Sequence, residues 1–150
     1  MARFRYRMQS ILDIKLKMET QAKQNFAMAR NALDEEEQKL ERLKTRRAEY
    51  EEKGRELLSG SLNVMDITFN KQALLRMDEF IVSQKACVKR AEARLEAARE
   101  QLQEVMKERK THETLKEKAF EAFLMEEKQR ESKEIDELTS YLYASKVGEA

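Results

Sequence analysis

The sequence contains no proline, three glycines and one cysteine among 150 residues. With the usual breakers this scarce, helix continues wherever nothing else stops it. The single cysteine, Cys87, excludes an internal disulfide and fits a reducing compartment; beside Val88 it reads as a small apolar packing residue. No apolar run approaches the roughly eighteen residues that a bilayer-crossing helix needs. The first ten residues carry charges where a secretory signal would carry an apolar core. These absences predict a cytoplasmic protein with no direct membrane insertion. Also missing are a Gly-rich phosphate loop, an HExxH pair, cysteines at metal-ligand spacing and a nucleophile elbow. The chain is therefore expected not to be an enzyme and to have no catalytic residues, cofactor or metal. Asp34, Glu35, Glu36 and Glu37 would point to all sides of a helix, which makes them a solvated face rather than converging acids.

What is present is charge: 39% of residues are Asp, Glu, Lys or Arg, and the mean hydropathy is −0.83. So polar a chain cannot fill a rounded core, and its buried surface should be one long seam. Thirty basic residues stand against 29 acidic ones, well mixed, so no global field attracts nucleic acid. The exception is the N-terminus, where Arg3, Arg5, Arg7, Lys15 and Lys17 face only Asp13. That end is either a site for an acidic partner or a solvated basic turn.

The seam is visible as apolar residues at alternating steps of three and four. It runs through Ile11, Ile14, Met18, Ala22, Phe26, Ala29, Leu33, Leu40, Leu43, Tyr50 and Leu57, with Glu36, Arg47 and Gly54 keeping the register. It resumes at Met77, Ile81, Gln84, Val88, Ala91, Leu95, Ala98, Leu102 and Val105, and continues through Arg109, His112 and Lys116 to Ala119 and Phe123. A mean step near 3.5 keeps a narrow face toward a partner helix and implies a left-handed supercoil. The expected fold is all-α: a long antiparallel two-helix coiled-coil hairpin spanning 1–150, with the second helix longer than the first. Helix one is expected over about 3–58, the tip loop over about 59–66 and helix two over about 67–145. Gly60 would support a left-handed helix end, Asn63 or Asp66 would cap the next helix, and Gly54 would loosen the last turn before the break.

Folding back at residue 60 sets Tyr50 near Met77, Leu33 near Leu95 and Met8 near residues 114–118. Beyond about residue 122 helix two carries Phe123, Leu124, Met125, Ile135, Leu138, Tyr141, Leu142 and Tyr143 with no first-helix surface to cover them. This stretch is either a binding surface or a frayed tail or self-contact. Arg109, His112 and Lys116 form a polar interruption of the seam, expected to be locally weak, and His112 reads as a half-exposed residue there rather than as a pH switch. Gln84 either fixes the register or is merely tolerated near the hairpin end.

The opening residues Phe4, Arg5, Tyr6, Arg7, Met8, Gln9, Ser10, Ile11 and Leu12 resemble the start of the FliJ family of bacterial flagellar export proteins. The similarity continues through residues 36–40, Ala48, Glu49 and Tyr50, the glycine-containing break, and residues 107–110 and 115–118. What the resemblance implies is a stalk-like coiled coil whose open end enters the hexameric flagellar export ATPase. Phe4, Arg5, Arg7, Met8, Leu12, Phe123 and Leu124 would meet that ring. The tip would meet the cytoplasmic domain of the export-gate membrane protein through Leu43, Tyr50, Ala73, Met77, Phe80 and Gln84. Arg46 stands where some members carry an aromatic residue. The resemblance further implies escort of export chaperones, a role in flagellar protein export, motility and chemotaxis, and a peripheral position on the inner face of the cell membrane at the flagellar base. The alternatives are the stalk protein of a virulence type III secretion system and a generic coiled-coil scaffold.

Overall fold

The two seams predicted above meet. The structure, a computed structural model that describes residues 2–148, consists of α1 (Gln9–Leu58) and α2 (Val64–Gly148), packed as an antiparallel hairpin. Among the described residues there is no strand. The chain forms two compact units: Thr20–Glu104, which contains the turn, and Met1–Glu19 with Val105–Ala150, which contains the open end.

Helix α1 begins at Gln9, about two turns later than expected. Residues 2–6 have no regular structure, and Gln9 N–H donates to the Tyr6 carbonyl at 3.2 Å. Two causes act together. Arg3, Arg5 and Arg7 would load positive charge onto the positive end of the helix dipole, and Phe4 is drawn back onto α2.

At the other end of α1 the stop differs from the one expected of Gly60. No described residue, glycine included, has a positive φ. Instead the Ser59 hydroxyl and amide both donate to the Glu56 carbonyl, at 2.8 and 3.2 Å, satisfying a helix-end acceptor. Only residues 59–63 separate the helices. Asn63, rather than Asp66, is the cap: its Oδ1 accepts from the amides of Met65 at 3.1 Å and Asp66 at 3.4 Å. Asp66 adds its carboxylate to the first turn, where the dipole favours it.

The inward face of α2 follows the expected line from Met77 to Phe123 at every position, and extends it to Ile67, Asn70 and Leu74 before and Glu127 after. On α1 the line holds from Ala22 to Leu57. Below Ala22 it does not. The inward positions are Leu12, Lys15 and Glu19, while Ile11, Ile14 and Met18 are exposed. The three-and-four alternation therefore runs unbroken from Leu12, with Lys15 and Glu19 joining Glu36 and Arg47 as charged residues in the seam.

Gly54 does not loosen its turn, which stays helical. Its missing side chain makes room for the buried Asn70: a Cβ there would lie 2.7 Å from Asn70 Nδ2. Gly54→Ala gains roughly 1 kcal/mol of helix propensity but forces the amide aside. We expect a net loss of about 1–2 kcal/mol in urea unfolding, as overpacking imposes. Gly54→Ala combined with Asn70→Ala should recover wild-type stability, because Asn70 Oδ1 is buried without a hydrogen-bond partner in the protein.

Candidate interaction surfaces

At the open end Phe4 is half-buried between two aromatic residues of α2. Its ring lies 5.1 Å from Phe120, nearly edge-on at 68°, and 5.4 Å from Phe123. Such pairs add to the area they bury, and this one ties the chain start to the hairpin. Phe123, expected to lie uncovered, is covered by Phe4. Below it Leu12 is only 3% exposed.

Next along the seam Lys15 Nζ bonds Glu108 at 2.8 Å. The Arg109 guanidinium reaches Glu19 at 2.7 Å through Nε and Glu113 at 2.9 Å through Nη1. The side chains of Arg109 and Glu19 are only 17% and 9% exposed. Hydrogen bonds to Glu19 and then Glu113 hold the guanidinium pKa above its usual value, so Arg109 stays charged until strongly alkaline pH. The stretch expected to be weak is thus tied down at Arg109 by charge-assisted bonds, while His112 Nδ1 is buried without a hydrogen-bond partner in the protein. Around this buried part Arg5, Arg7 and Met8 are exposed, as is Leu124. Of the residues the family resemblance led us to expect at an ATPase contact, Arg5, Arg7, Met8 and Leu124 face solvent, while Phe4, Leu12 and Phe123 are turned inward.

In the tip unit the seam also alternates apolar and polar levels. Gln84 Nε2 donates to the Glu36 backbone carbonyl at 3.0 Å and to the Glu36 carboxylate, so Gln84 locks a register rather than being merely tolerated there. Arg47 bridges Asp78 of α2 and Glu51 of its own helix. Hydrogen bonds to Asp78 first and Glu51 second raise its pKa.

Leu43, Tyr50, Ala73 and Met77 are half-buried along this seam, and Phe80 is 53% exposed. A shallow depression of about 360 Å³ joins Tyr50 and Ala73 to Lys53, Asp66 and Phe69. Another is lined by Lys39, Arg42, Leu43, Arg46 and Gln84. Among the charged residues that line the two depressions, Lys39, Arg42, Arg46 and Lys53 outnumber Asp66, so the surface is mainly basic. Phe69, 73% exposed, was not selected by seam periodicity. In the sequence it stands as a large aromatic residue soon after a helix start and off the inward line.

Among the described residues no group of three or more His, Cys, Asp or Glu is arranged to hold a metal ion, and no helix is long and apolar enough to cross a membrane.

The whole described hairpin, from the aromatic anchor at Phe4 to the end of α2, matches one family model, that of the flagellar FliJ protein, over residues 4–148. The chain belongs to the FliJ family. No curated protein matches it. Among solved structures it is similar to a chain described as a YscO homolog, CT670, from Chlamydia trachomatis. The two are 26% identical, the match covers 94% of this chain and 96% of that one, and the TM-score is 0.76. As a FliJ-family chain with a YscO-like structure, it falls among the proteins of type III export.

Proposed function

We propose that this FliJ-family chain is a stalk of the flagellar export apparatus, coupling the hexameric export ATPase to the membrane export gate. The family match over residues 4–148 carries the reading. The open end enters the ATPase ring, presenting Arg5, Arg7, Met8 and Leu124, with Phe4, Leu12 and Phe123 holding that surface in place. The tip engages the cytoplasmic domain of the gate protein through Phe80, the depression around Tyr50 and Ala73 and the one at Leu43 and Gln84, with Met77 half-buried in the seam.

The chain itself does no chemistry in this reading. ATP-driven cycling in the ring is passed along two paired helices, which resist bending better than one. A single asymmetric stalk contacts six subunits unequally, so they act in turn. The protein works in the cytoplasm at the inner face of the membrane, escorts export chaperones between ring and gate, and is needed for motility. A virulence-type export stalk is the second reading, favoured by the likeness to the YscO homolog.

ATP hydrolysis by the matching flagellar export ATPase, with and without the full chain, tests the proposal. We expect stimulation by wild type and a loss of about tenfold or more in apparent affinity for Arg5→Glu/Arg7→Glu, since both guanidinium groups are exposed and their reversal leaves the fold intact. Point reversal is preferable to removing residues 1–12, which would take away Phe4 and Leu12 and unpack the hairpin. Stimulation unaffected by the reversal would refute ring entry by this end. Stimulation of a virulence-system ATPase alone would favour the second reading.

A further inference from the structure

Two exposed apolar stripes in the open-end unit have no cover within their own chain. On α1, Ile11, Ile14 and Met18 are 38%, 56% and 39% exposed, at steps of three and four. They lie in a basic neighbourhood: Arg3, Arg5, Arg7 and Lys17 are all exposed, and Asp13 is the one acid before Glu19. On α2, past the Phe4 contact, Ile135, Leu138 and Leu142 are each about 60% exposed, again at steps of three and four. Here the surroundings are acidic, with Glu126, Glu127, Glu131, Glu134, Asp136 and Glu137 against Lys128, Arg130 and Lys133.

The stripes match in period and oppose in charge, yet they cannot meet within one molecule. Helix α2 is continuous to Gly148, so Ile135 lies roughly 18 Å beyond Phe123 at 1.5 Å per residue, moving away from the α1 start that Phe123 touches. Each stripe is therefore left to another chain, and the complement of each is present on a second copy.

We propose that two copies of this chain associate through their open ends. The α2 stripe of each copy (Ile135, Leu138, Leu142) packs on the α1 stripe of the other (Ile11, Ile14, Met18), with the acids of one beside the bases of its partner. The two contacts are related by a two-fold axis, as in an isologous dimer. Three side chains from each stripe, used twice, are a small interface, so the dimer is weak and salt-sensitive. The proposal stands whether or not the chain is an export stalk. If it is one, the dimer hides Arg5, Arg7 and Met8, and ring entry must displace the second copy.

Sedimentation equilibrium of the full chain tests this. The expected result is a reversible dimer with Kd in the range of about 1–100 µM, weakened about tenfold or more when salt is raised from roughly 50 to 500 mM. Leu138→Lys, at an exposed position where helix content by circular dichroism should be unchanged, should be monomeric. The decisive experiment uses Arg7→Glu/Lys17→Glu and, separately, Glu134→Lys/Glu137→Lys. Each variant alone repels itself and should be monomeric, whereas an equimolar mixture restores opposite charges at both contacts and should dimerise. A wild-type protein that stays monomeric at several hundred micromolar, a dimer that survives Leu138→Lys, or charge variants that fail to complement would each overturn the proposal. So would a monomer that floats with vesicles of anionic phospholipid through the basic α1 stripe, because that stripe would then have a lipid surface as its partner.

Discussion

Leu12→Ala should lower the unfolding free energy by about 2–4 kcal/mol, the range for removing a buried leucine side chain, whereas Ile14→Ala should change it by no more than about 0.5 kcal/mol. Leu12 is 3% exposed and Ile14 56%, although both read from sequence as apolar residues on an amphipathic helix. Urea unfolding followed by circular dichroism separates them directly. Equal losses at both positions, or a larger one at Ile14, would mean that α1 turns its Ile11, Ile14, Met18 face inward and that Lys15 and Glu19 are not in the seam. Because Phe4 and Leu12 hold the same end, a destabilised Leu12→Ala protein should also lose protection of the first turns of α1 in hydrogen exchange before the tip unit does.

The second large effect belongs to the ion pair at the Glu19 level. Arg109→Leu leaves Glu19 largely buried with its cross-helix partner gone, and Glu19→Leu leaves Arg109 with only Glu113, its neighbour one turn along α2. Each single replacement should reduce stability, since a charge held largely out of water then loses its cross-helix partner. The double replacement puts two leucines face to face in a coiled-coil seam and should be at least as stable as wild type. Thermal unfolding of the four proteins closes the cycle. A double variant no better than the worse single one would show that the pair's hydrogen bonds, rather than the cost of holding one charge there without its cross-helix partner, carry the effect. The raised pKa of Arg109 fixes the pH sign. A group whose pKa is higher folded than unfolded contributes fully below its unfolded value and loses that contribution only as pH rises through the folded one. Because the guanidinium titrates only at strongly alkaline pH, its contribution should be flat across neutral pH.

Restoring an apolar seam in this way would cost register. Glu19 with Arg109, Glu36 with Gln84 and Arg47 with Asp78 are cross-helix bonds that form in one alignment of the two helices. A seam made only of Leu and Ala would tolerate sliding by a heptad, whereas a slipped register leaves these groups half-buried and unpaired.

By itself the sequence determined that there are two helices, where they divide, and which face of each turns inward over most of its length. A chain this polar has one way to bury apolar area, and the three-and-four spacing from Ala22 to Leu57 and from Met77 to Phe123 leaves one face to bury. That Asn63 or Asp66 caps α2 was also visible, and the structure decides for Asn63, whose short side chain reaches the amides that follow it. Only the tertiary structure decided the first turns of α1. There the apolar line Ile11, Ile14, Met18 competes with the line Leu12, Lys15, Glu19, and local pattern favours the first. The second prevails because Glu108 and Arg109 wait on α2, ninety residues away in sequence, to pair with the two charged side chains. The same holds for Gly54, whose role depends on where Asn70 arrives, and for Phe4, which leaves the helix to reach Phe120 and Phe123. Periodicity records which residues avoid water, but a charged or missing side chain fits a seam only when its partner across the seam is known, and the meeting of the two helices supplies that partner.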